Sequence, residues 1–193
     1  MRLLLASNSP RRKELLARAG YQFEVAPQDV DEKPFLSLAP AQEAAIRCAE
    51  AKARSAFEAC GGVVLAADTV VEIEGDYLDK PVDAPDAARM LRLLSGREHR
   101  VTTGVCVWSQ KGSDSLAATT RVWFRSLDAE LIERYVASGE PMDKAGAYGI
   151  QDFGALLVER IDGCYFNVVG LPISKAYDLL GSHGAHPSLV PVP

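Results

Sequence analysis

The run of apolar residues at positions 63–67 constrains the fold more than any other segment of the chain. A continuous apolar run of this length is typical of a strand that is buried on both faces of a sheet. Residues 70–73 continue the strand pattern, and residues 74–76 predict a hairpin turn. Strands and helices alternate along the remaining chain without internal repeats, so we expect α/β architecture around a mixed sheet.

The other elements are predicted from apolar spacing and from helix-boundary residues. Helices are expected over residues 13–19, 41–59, 84–94, 128–138 and 173–180. Further strands are expected over residues 3–6, 21–25, 101–108, 118–124, 155–161 and 166–169. We expect one domain over residues 1–182, followed by a flexible tail over residues 183–193 that contains the solvated His183 and His186.

Composition limits the classes of function that fit the chain. Its 193 residues carry a formal net charge of −5, which disfavours a protein that binds nucleic-acid polymers. We also expect a cytoplasmic protein, because the sequence has no signal-like amino terminus and no apolar stretch that could span a bilayer. Its four cysteines form no CxxC pair, which argues against a zinc site and against a disulfide framework.

A turn rich in cations, residues 7–13, connects the first predicted strand to the first predicted helix. Ser9 suits the helix cap and Pro10 the first helical position. Arg11, Arg12 and Lys13 then occupy the positive end of the helix, where each exposed cation is unfavourable by about 0.3–1 kcal/mol. A bound anion would reverse the sign of this arrangement, so we favour a phosphate site over a solvated basic turn. The GxxxxGKS phosphate loop is absent from the sequence.

Asp68 places a carboxylate inside the most apolar predicted strand. An ionised carboxylate is costly there unless a cation, a metal or hydrogen bonds compensate it, which favours a functional role over a carboxylate bonded to a turn. Lys52, Lys80 and Gln151 are weaker candidates. Lys52 also fits a snorkelling lysine beside the apolar stripe of its helix, Lys80 an ordinary surface charge and Gln151 a flexible loop. The Gln151 amide follows a glycine-containing loop and has the donor and acceptor needed to pair with a base edge.

Several motifs, in the same order, make the chain resemble the Maf nucleotide pyrophosphatases over nearly its whole length. The motifs are LASNSPRRKELL from Leu5, AADTVV from Ala66, LDKP from Leu78, LSGREHRVTTGV from Leu94, SGEPMDKAGAYGIQ from Ser138 and NVVGLP from Asn167. The resemblance implies a three-layer α/β/α fold with a central mixed twisted sheet and a cleft between two lobes. It also implies a homodimer that hydrolyses a nucleoside triphosphate to the monophosphate and pyrophosphate with a divalent metal, Mg²⁺ or Mn²⁺.

The resemblance also implies roles for individual residues. Asp68 matches the proposed proton acceptor, and Glu32, beside Asp31, matches a second acidic position. Asp68 and Glu32 are the candidate metal ligands. The phosphate-contacting positions fall on Ser7, Arg11, Arg12, Lys52 and Lys80.

The resemblance also implies a subfamily, because the branches of the Maf nucleotide pyrophosphatases differ at three positions. The branch that acts on dTTP and UTP has Arg, Thr and Gln, and this chain has Arg11, Thr69 and Gln151. The branch that acts on 7-methyl-GTP has Trp, Gln and Glu instead, which suit a cationic methylated purine. One departure is Asp152, where relatives have Gly.

The alternative to a pyrophosphatase is a nucleotide-binding regulator of septum formation and cell division with little catalysis.

Overall fold

The computed structural model describes residues 2–26, 30–31, 34–35 and 40–189. In this part of the chain the strands are β1 (Leu3–Ala6), β2 (Glu24–Val25), β3 (Val63–Ile73), β4 (Asp76–Leu78), β5 (Glu98–Ser109), β6 (Gly112–Phe124) and β7 (Val158–Asp162). The helices there are α1 (Pro10–Arg18), α2 (Ala41–Cys60), α3 (Ala84–Leu94), α4 (Ala129–Ala137), α5 (Tyr165–Val169) and α6 (Ile173–Ser182).

The strands form one mixed sheet in the order β2-β1-β3-β5-β6-β7, and β4 pairs with β3. β1 runs parallel to β2 and to β3, with Ala6 opposite Ala66. β3 and β4 are antiparallel, as are β6 and β7. Helices lie on both sides of this sheet, so the predicted α/β fold class is confirmed.

The chain divides into two compact units. The first unit comprises Met1–Asp68, Thr103–Ala118 and Gly170–Pro193, and the second comprises Thr69–Thr102 and Thr119–Val169. Strand β3 passes from the first unit into the second between Asp68 and Thr69.

In the first unit, the alanine-rich face of α2 packs closely on the sheet. Ala49, Ala53 and Ala56 of α2 are fully buried in one cluster with residues of β1, β3 and β5. Gly104 of β5 permits this approach, because an added Cβ would lie 2.3 Å from the Ala45 carbonyl carbon. Trp108 lies at the border of this cluster, with its ring centroid 6.3 Å from that of Phe57.

The second unit has its own core, built from β3, α3 and α4 together with β5 and β6. Phe124, His99 and Tyr148 pack edge to face inside it, with ring centroids 4.7–5.3 Å apart. On β6, the Trp123 ring is covered by the Arg160 guanidinium of β7, whose carbon lies 3.7 Å from the ring centroid.

Burial of His99 predicts a loss of stability in acid. The side chain is 2% exposed, and burial lowers the pKa of His99 from 6.5 to about 4. The unfolded chain therefore takes up a proton near pH 6.5, which the folded protein does not accept until about pH 4. Since each pH unit of this difference is worth about 1.4 kcal/mol, the free energy of unfolding falls by about 3 kcal/mol over that window.

Urea denaturation between pH 7.5 and pH 4 measures this contribution. The His99→Gln variant keeps a neutral polar side chain that accepts no proton, so its stability is expected to change less with pH than that of the wild type. Equal pH dependence of the two proteins would show that His99 does not carry the effect.

Several predicted strands differ from the structure. Strand β2 covers only Glu24–Val25 of the expected residues 21–25, and β6 begins at Gly112 rather than at residue 118. Residues 166–169 were expected to be a strand but lie in helix α5, where the buried Asn167 amide donates to the Val101 carbonyl at 2.9 Å. The strand expected over residues 155–161 is β7, Val158–Asp162, and it follows a short 3₁₀ turn, Asp152–Leu156. In α5 a tertiary contact, rather than apolar alternation, determines the local backbone.

His183 is buried rather than solvated. It is 4% exposed, and its two ring nitrogens lie 2.7 Å from the Ser109 hydroxyl and 3.0 Å from an Asp114 carboxylate oxygen. These contacts attach the end of α6 to the β5–β6 turn. Within the described residues, no helix is long and apolar enough to cross a membrane.

Candidate active site

The cation-rich turn forms the predicted strand-to-helix junction. β1 ends at Ala6, and α1 begins at Pro10 with Ser9 as its cap. The Ser9 hydroxyl accepts a hydrogen bond from the Arg12 backbone N–H at 3.4 Å, and the first turn of α1 contains no acidic residue. The helix N-terminus therefore keeps its positive potential, as the anion-site hypothesis requires.

Ser7 and Arg12 are bonded to each other within this turn. Ser7 is 2% exposed, and its hydroxyl accepts from the Ser9 backbone N–H at 3.2 Å and from the Arg12 guanidinium at 3.3 Å. Arg12 also donates through Nε to the Gly170 carbonyl at 2.8 Å, which ties α1 to the segment before α6. Arg12 thus has a structural contact that its sequence position did not indicate. Arg11 is partly exposed on the same turn.

Lys52 and Asp68, predicted separately, form a buried ion pair. The Lys52 ammonium lies 2.7 Å from the Asp68 Oδ1 atom, and the two side chains are 4% and 12% exposed. A charge that is buried alone is costly, so each group compensates the other. From the sequence, a buried Asp68 was expected to need a compensating group. The structure shows that Lys52 is that group.

The two partners are positioned by regular elements. Lys52 lies on the buried face of α2 together with Cys48, Ala49, Ala53 and Ala56, whose spacing at i, i+3 and i+4 places them on one stripe. Asp68 lies in β3, which continues through Thr69 to Ile73 without ending at the carboxylate. Because Ala66 is opposite Ala6, the carboxyl end of β1 and Asp68 lie at neighbouring positions along two parallel strands.

In the second unit, three further candidates have different surroundings. Thr69 is partly buried on β3, and Lys80 is exposed after β4, in a turn where its backbone N–H donates to the Asp79 carboxylate at 2.7 Å. Gln151 is partly exposed and directly precedes the 3₁₀ turn Asp152–Leu156. Asp152 has φ of 49°, a left-handed conformation that Gly, Asn and Asp adopt most readily.

Sequence reasoning missed the network that holds the Gln151 loop. The Glu140 carboxylate accepts hydrogen bonds from the Tyr135 hydroxyl at 2.9 Å and from the backbone N–H groups of Phe153 and Gly154 at 3.2 Å. Tyr135 in turn accepts from the Gly149 backbone N–H at 3.2 Å. The motif SGEP contained Glu140, but its spacing gave no sign of these partners.

Of the two acidic candidates Asp31 and Glu32, the structure describes Asp31. Glu32 lies outside the described residues, and Asp31 is exposed. Among the residues that the structure describes, no group of three His, Cys, Asp or Glu side chains is arranged to hold a metal ion. Mg²⁺ is usually held by one or two carboxylates together with substrate phosphates, so the Asp68 carboxylate, which also contacts Lys52, fits such an ion.

The fold and these contacts define an α/β protein with a cationic helix N-terminus beside a buried carboxylate–ammonium pair. The sequence pattern of the family described as Maf-like protein matches residues 2–183. The chain therefore belongs to the Maf-like family, as its motifs predicted.

Individual relatives match over nearly their whole length. The dTTP/UTP pyrophosphatase of Thermococcus gammatolerans is 51% identical, with 92% of this chain and 94% of the relative covered. The dTTP/UTP pyrophosphatase of Syntrophomonas wolfei is 49% identical, with coverage of 94% and 97%. Among solved structures, the Staphylococcus aureus Ham1 protein aligns with a TM-score of 0.47 and 15% identity, over 64% of this chain and 72% of its own.

Proposed function

We propose that the protein is a nucleoside triphosphate pyrophosphatase that hydrolyses dTTP and UTP to the monophosphate and pyrophosphate. Two relatives named dTTP/UTP pyrophosphatase are 51% and 49% identical to the chain. The observation that carries the proposal is the Lys52–Asp68 pair, 2.7 Å apart and almost completely buried. The fixed ammonium partner holds the carboxylate oxygens at a defined position, which a general base requires.

The chemical step uses Asp68 as the general base. Asp68 orients a water molecule and takes its proton while the water oxygen attacks the α-phosphorus. The bond between the α-phosphorus and its bridging oxygen breaks, and pyrophosphate leaves with the electron pair of that bond. Lys52 holds the carboxylate in place and supplies positive charge beside the phosphates.

The phosphates are assigned to the cationic groups. Arg11 and Arg12 present guanidinium groups at the N-terminus of α1, where the helix dipole adds to the positive potential. Ser7 fixes the Arg12 guanidinium through their 3.3 Å contact. We assign a further phosphate contact to Lys80, and contacts in the nucleotide site to Thr69 and Glu32. Gln151 pairs with the uracil or thymine edge, because its amide both donates and accepts.

A divalent metal, Mg²⁺ or Mn²⁺, completes the proposed chemistry. Asp68 is the described residue that would hold it, and Glu32 is the second candidate. When bound, the metal neutralises phosphate charge and polarises the phosphoryl oxygens.

We further propose a cytoplasmic homodimer with a nucleoside triphosphate as its ligand. The cytoplasmic location is supported by the nucleotide substrates in the names of the relatives. The dimer is supported only by the family resemblance. The single domain over residues 1–182 and the flexible tail over residues 183–193 stay predictions.

Product analysis in ¹⁸O-labelled water tests the reaction and its point of attack. With Mg²⁺ and UTP or dTTP, we expect the monophosphate and pyrophosphate as products, with ¹⁸O only in the monophosphate. Nucleoside diphosphate with orthophosphate, or ¹⁸O in the pyrophosphate, would contradict attack at the α-phosphorus. Omission of the metal provides the control for its role.

The same assay separates two alternatives. Tight UTP binding with negligible turnover would support a nucleotide-binding regulator instead. Faster hydrolysis of 7-methyl-GTP than of UTP would contradict the pyrimidine assignment, which depends on Arg11, Thr69 and Gln151.

A further inference from the structure

The backbone around Gln151 forms a small closed loop. An added Cβ on Gly154 would lie 1.8 Å from the Gly149 carbonyl oxygen, so residues 149 and 154 are in direct backbone contact. Gln151 lies between them, and the next residue, Asp152, adopts a left-handed conformation. The position of the Gln151 side chain therefore depends on how the two ends of this loop are fixed.

One carboxylate and one phenol fix both ends. Glu140 Oε2 accepts from the Phe153 N–H and Oε1 accepts from the Gly154 N–H, which hold the far end of the loop. Tyr135, 3% exposed on α4, accepts from the Gly149 N–H and donates to Glu140, which holds the near end. Burial raises the pKa of Tyr135 above its usual range, so its hydroxyl keeps the proton that it donates.

Glu140 and helix α4, which hold the loop, are themselves held by further hydrogen bonds. Lys144 donates to the Glu140 backbone carbonyl, and the Ser138 hydroxyl accepts from the Glu140 backbone N–H at 3.2 Å. Helix α4 begins with the Asp128 cap, whose carboxylate accepts from the Leu131 N–H at 2.7 Å. A capped helix and a bonded carboxylate thus form a rigid support for the loop.

We propose that Glu140, through Tyr135 and the backbone of residues 149–154, is a positioning residue that sets the base selectivity of Gln151. This inference rests on the proposed function, in which the Gln151 amide reads the uracil edge. Uracil and cytosine present opposite donor and acceptor patterns at that edge. An amide discriminates between them only while its donor and acceptor ends are held in place.

The Glu140→Gln variant tests the proposal. Its amide retains one acceptor oxygen but brings an NH₂ group against N–H donors, so part of the loop loses its partner. We expect the ratio of kcat/KM for UTP to that for CTP to fall at least about tenfold. The change is expected mainly in KM for UTP, with kcat altered less than about threefold. Tyr135→Phe, which removes one hydroxyl, is expected to act in the same direction.

Two comparisons distinguish positioning from general damage. Glu133→Gln makes the same charge change at an exposed position of α4, and its selectivity is expected to remain that of the wild type. Gln151→Ala is expected to lose the discrimination by itself, and adding Glu140→Gln to it is expected to cause little further loss. An equal fall of kcat/KM for UTP and CTP in Glu140→Gln, or an undiminished effect in the Gln151→Ala background, would overturn the proposal.

A failure of the proposed enzymatic function can be distinguished from a failure of the positioning role of Glu140. A wild-type protein that releases no pyrophosphate from UTP or dTTP contradicts the enzymatic assignment. The positioning role is then tested by calorimetric titration with UTP and CTP. Equal affinity of the wild type for both nucleotides, or an unchanged affinity ratio in Glu140→Gln, would contradict it.

Discussion

Replacing Asp68 by Asn is expected to lower kcat for UTP by about 10³-fold, because the amide cannot accept the proton of the attacking water. The amide oxygen still accepts a hydrogen bond from Lys52, so nucleotide binding is expected to survive. Initial-rate kinetics measure the loss, and calorimetry with UTP measures the binding.

The exposed Asp76 provides a matched control for this change. Asp76→Asn makes the same substitution on β4 and is expected to keep the wild-type rate. Urea denaturation of Asp68→Asn separates a chemical from a folding effect, since the loss of one charge from the buried pair is expected to cost about 3–5 kcal/mol of stability. A wild-type rate in Asp68→Asn would remove this residue from the mechanism.

Replacing Gly104 by Ala is expected to cause a large loss of stability. The new Cβ would lie 2.3 Å from the Ala45 carbonyl carbon and oxygen and 2.5 Å from the Ile46 nitrogen. These are backbone atoms, so α2 must move away from β5, and Lys52 on the same helix must move with it. We expect about 3 kcal/mol of destabilisation or more, as measured by urea denaturation.

Gly181→Ala is the control for this substitution. An added Cβ at Gly181 would lie 3.7 Å from its nearest neighbour, a His186 ring atom, and Gly181 is within α6. Alanine in a helix is more favourable than glycine, so this variant is expected to gain about 0.5–1 kcal/mol of stability. If Gly104→Ala retained wild-type stability, close contact between α2 and β5 would not be required.

The elements that were predicted correctly are those with strong local signals. The α1 boundary was predicted from Ser9 and Pro10, and that of α4 from Asp128, because capping is decided within one turn. α3 was predicted from its apolar spacing, and its bounds, Ala84–Leu94, are those expected. The turn before β4 has positive φ at Glu74 and Gly75, as a tight hairpin requires.

The remaining features depend on contacts between distant parts of the chain. The Lys52–Asp68 pair joins residues on different elements, although the position of Lys52 on the buried stripe of α2 was a usable signal. The Arg12–Gly170 bond and the Glu140 network link residues whose separation carries no periodic pattern. Helix α5 was mistaken for a strand because the sequence does not show that Asn167 bonds to β5 and β6.

The two tryptophans of the chain lie in different units, and their surroundings differ. Trp108 packs near Phe57, whereas Trp123 lies beneath a guanidinium. Each unit therefore carries its own fluorophore. The Trp108→Phe variant keeps only the tryptophan of the second unit, and the Trp123→Phe variant keeps only that of the first. Emission during denaturation then reports separately on the half that contains Asp68 and the half that contains Gln151.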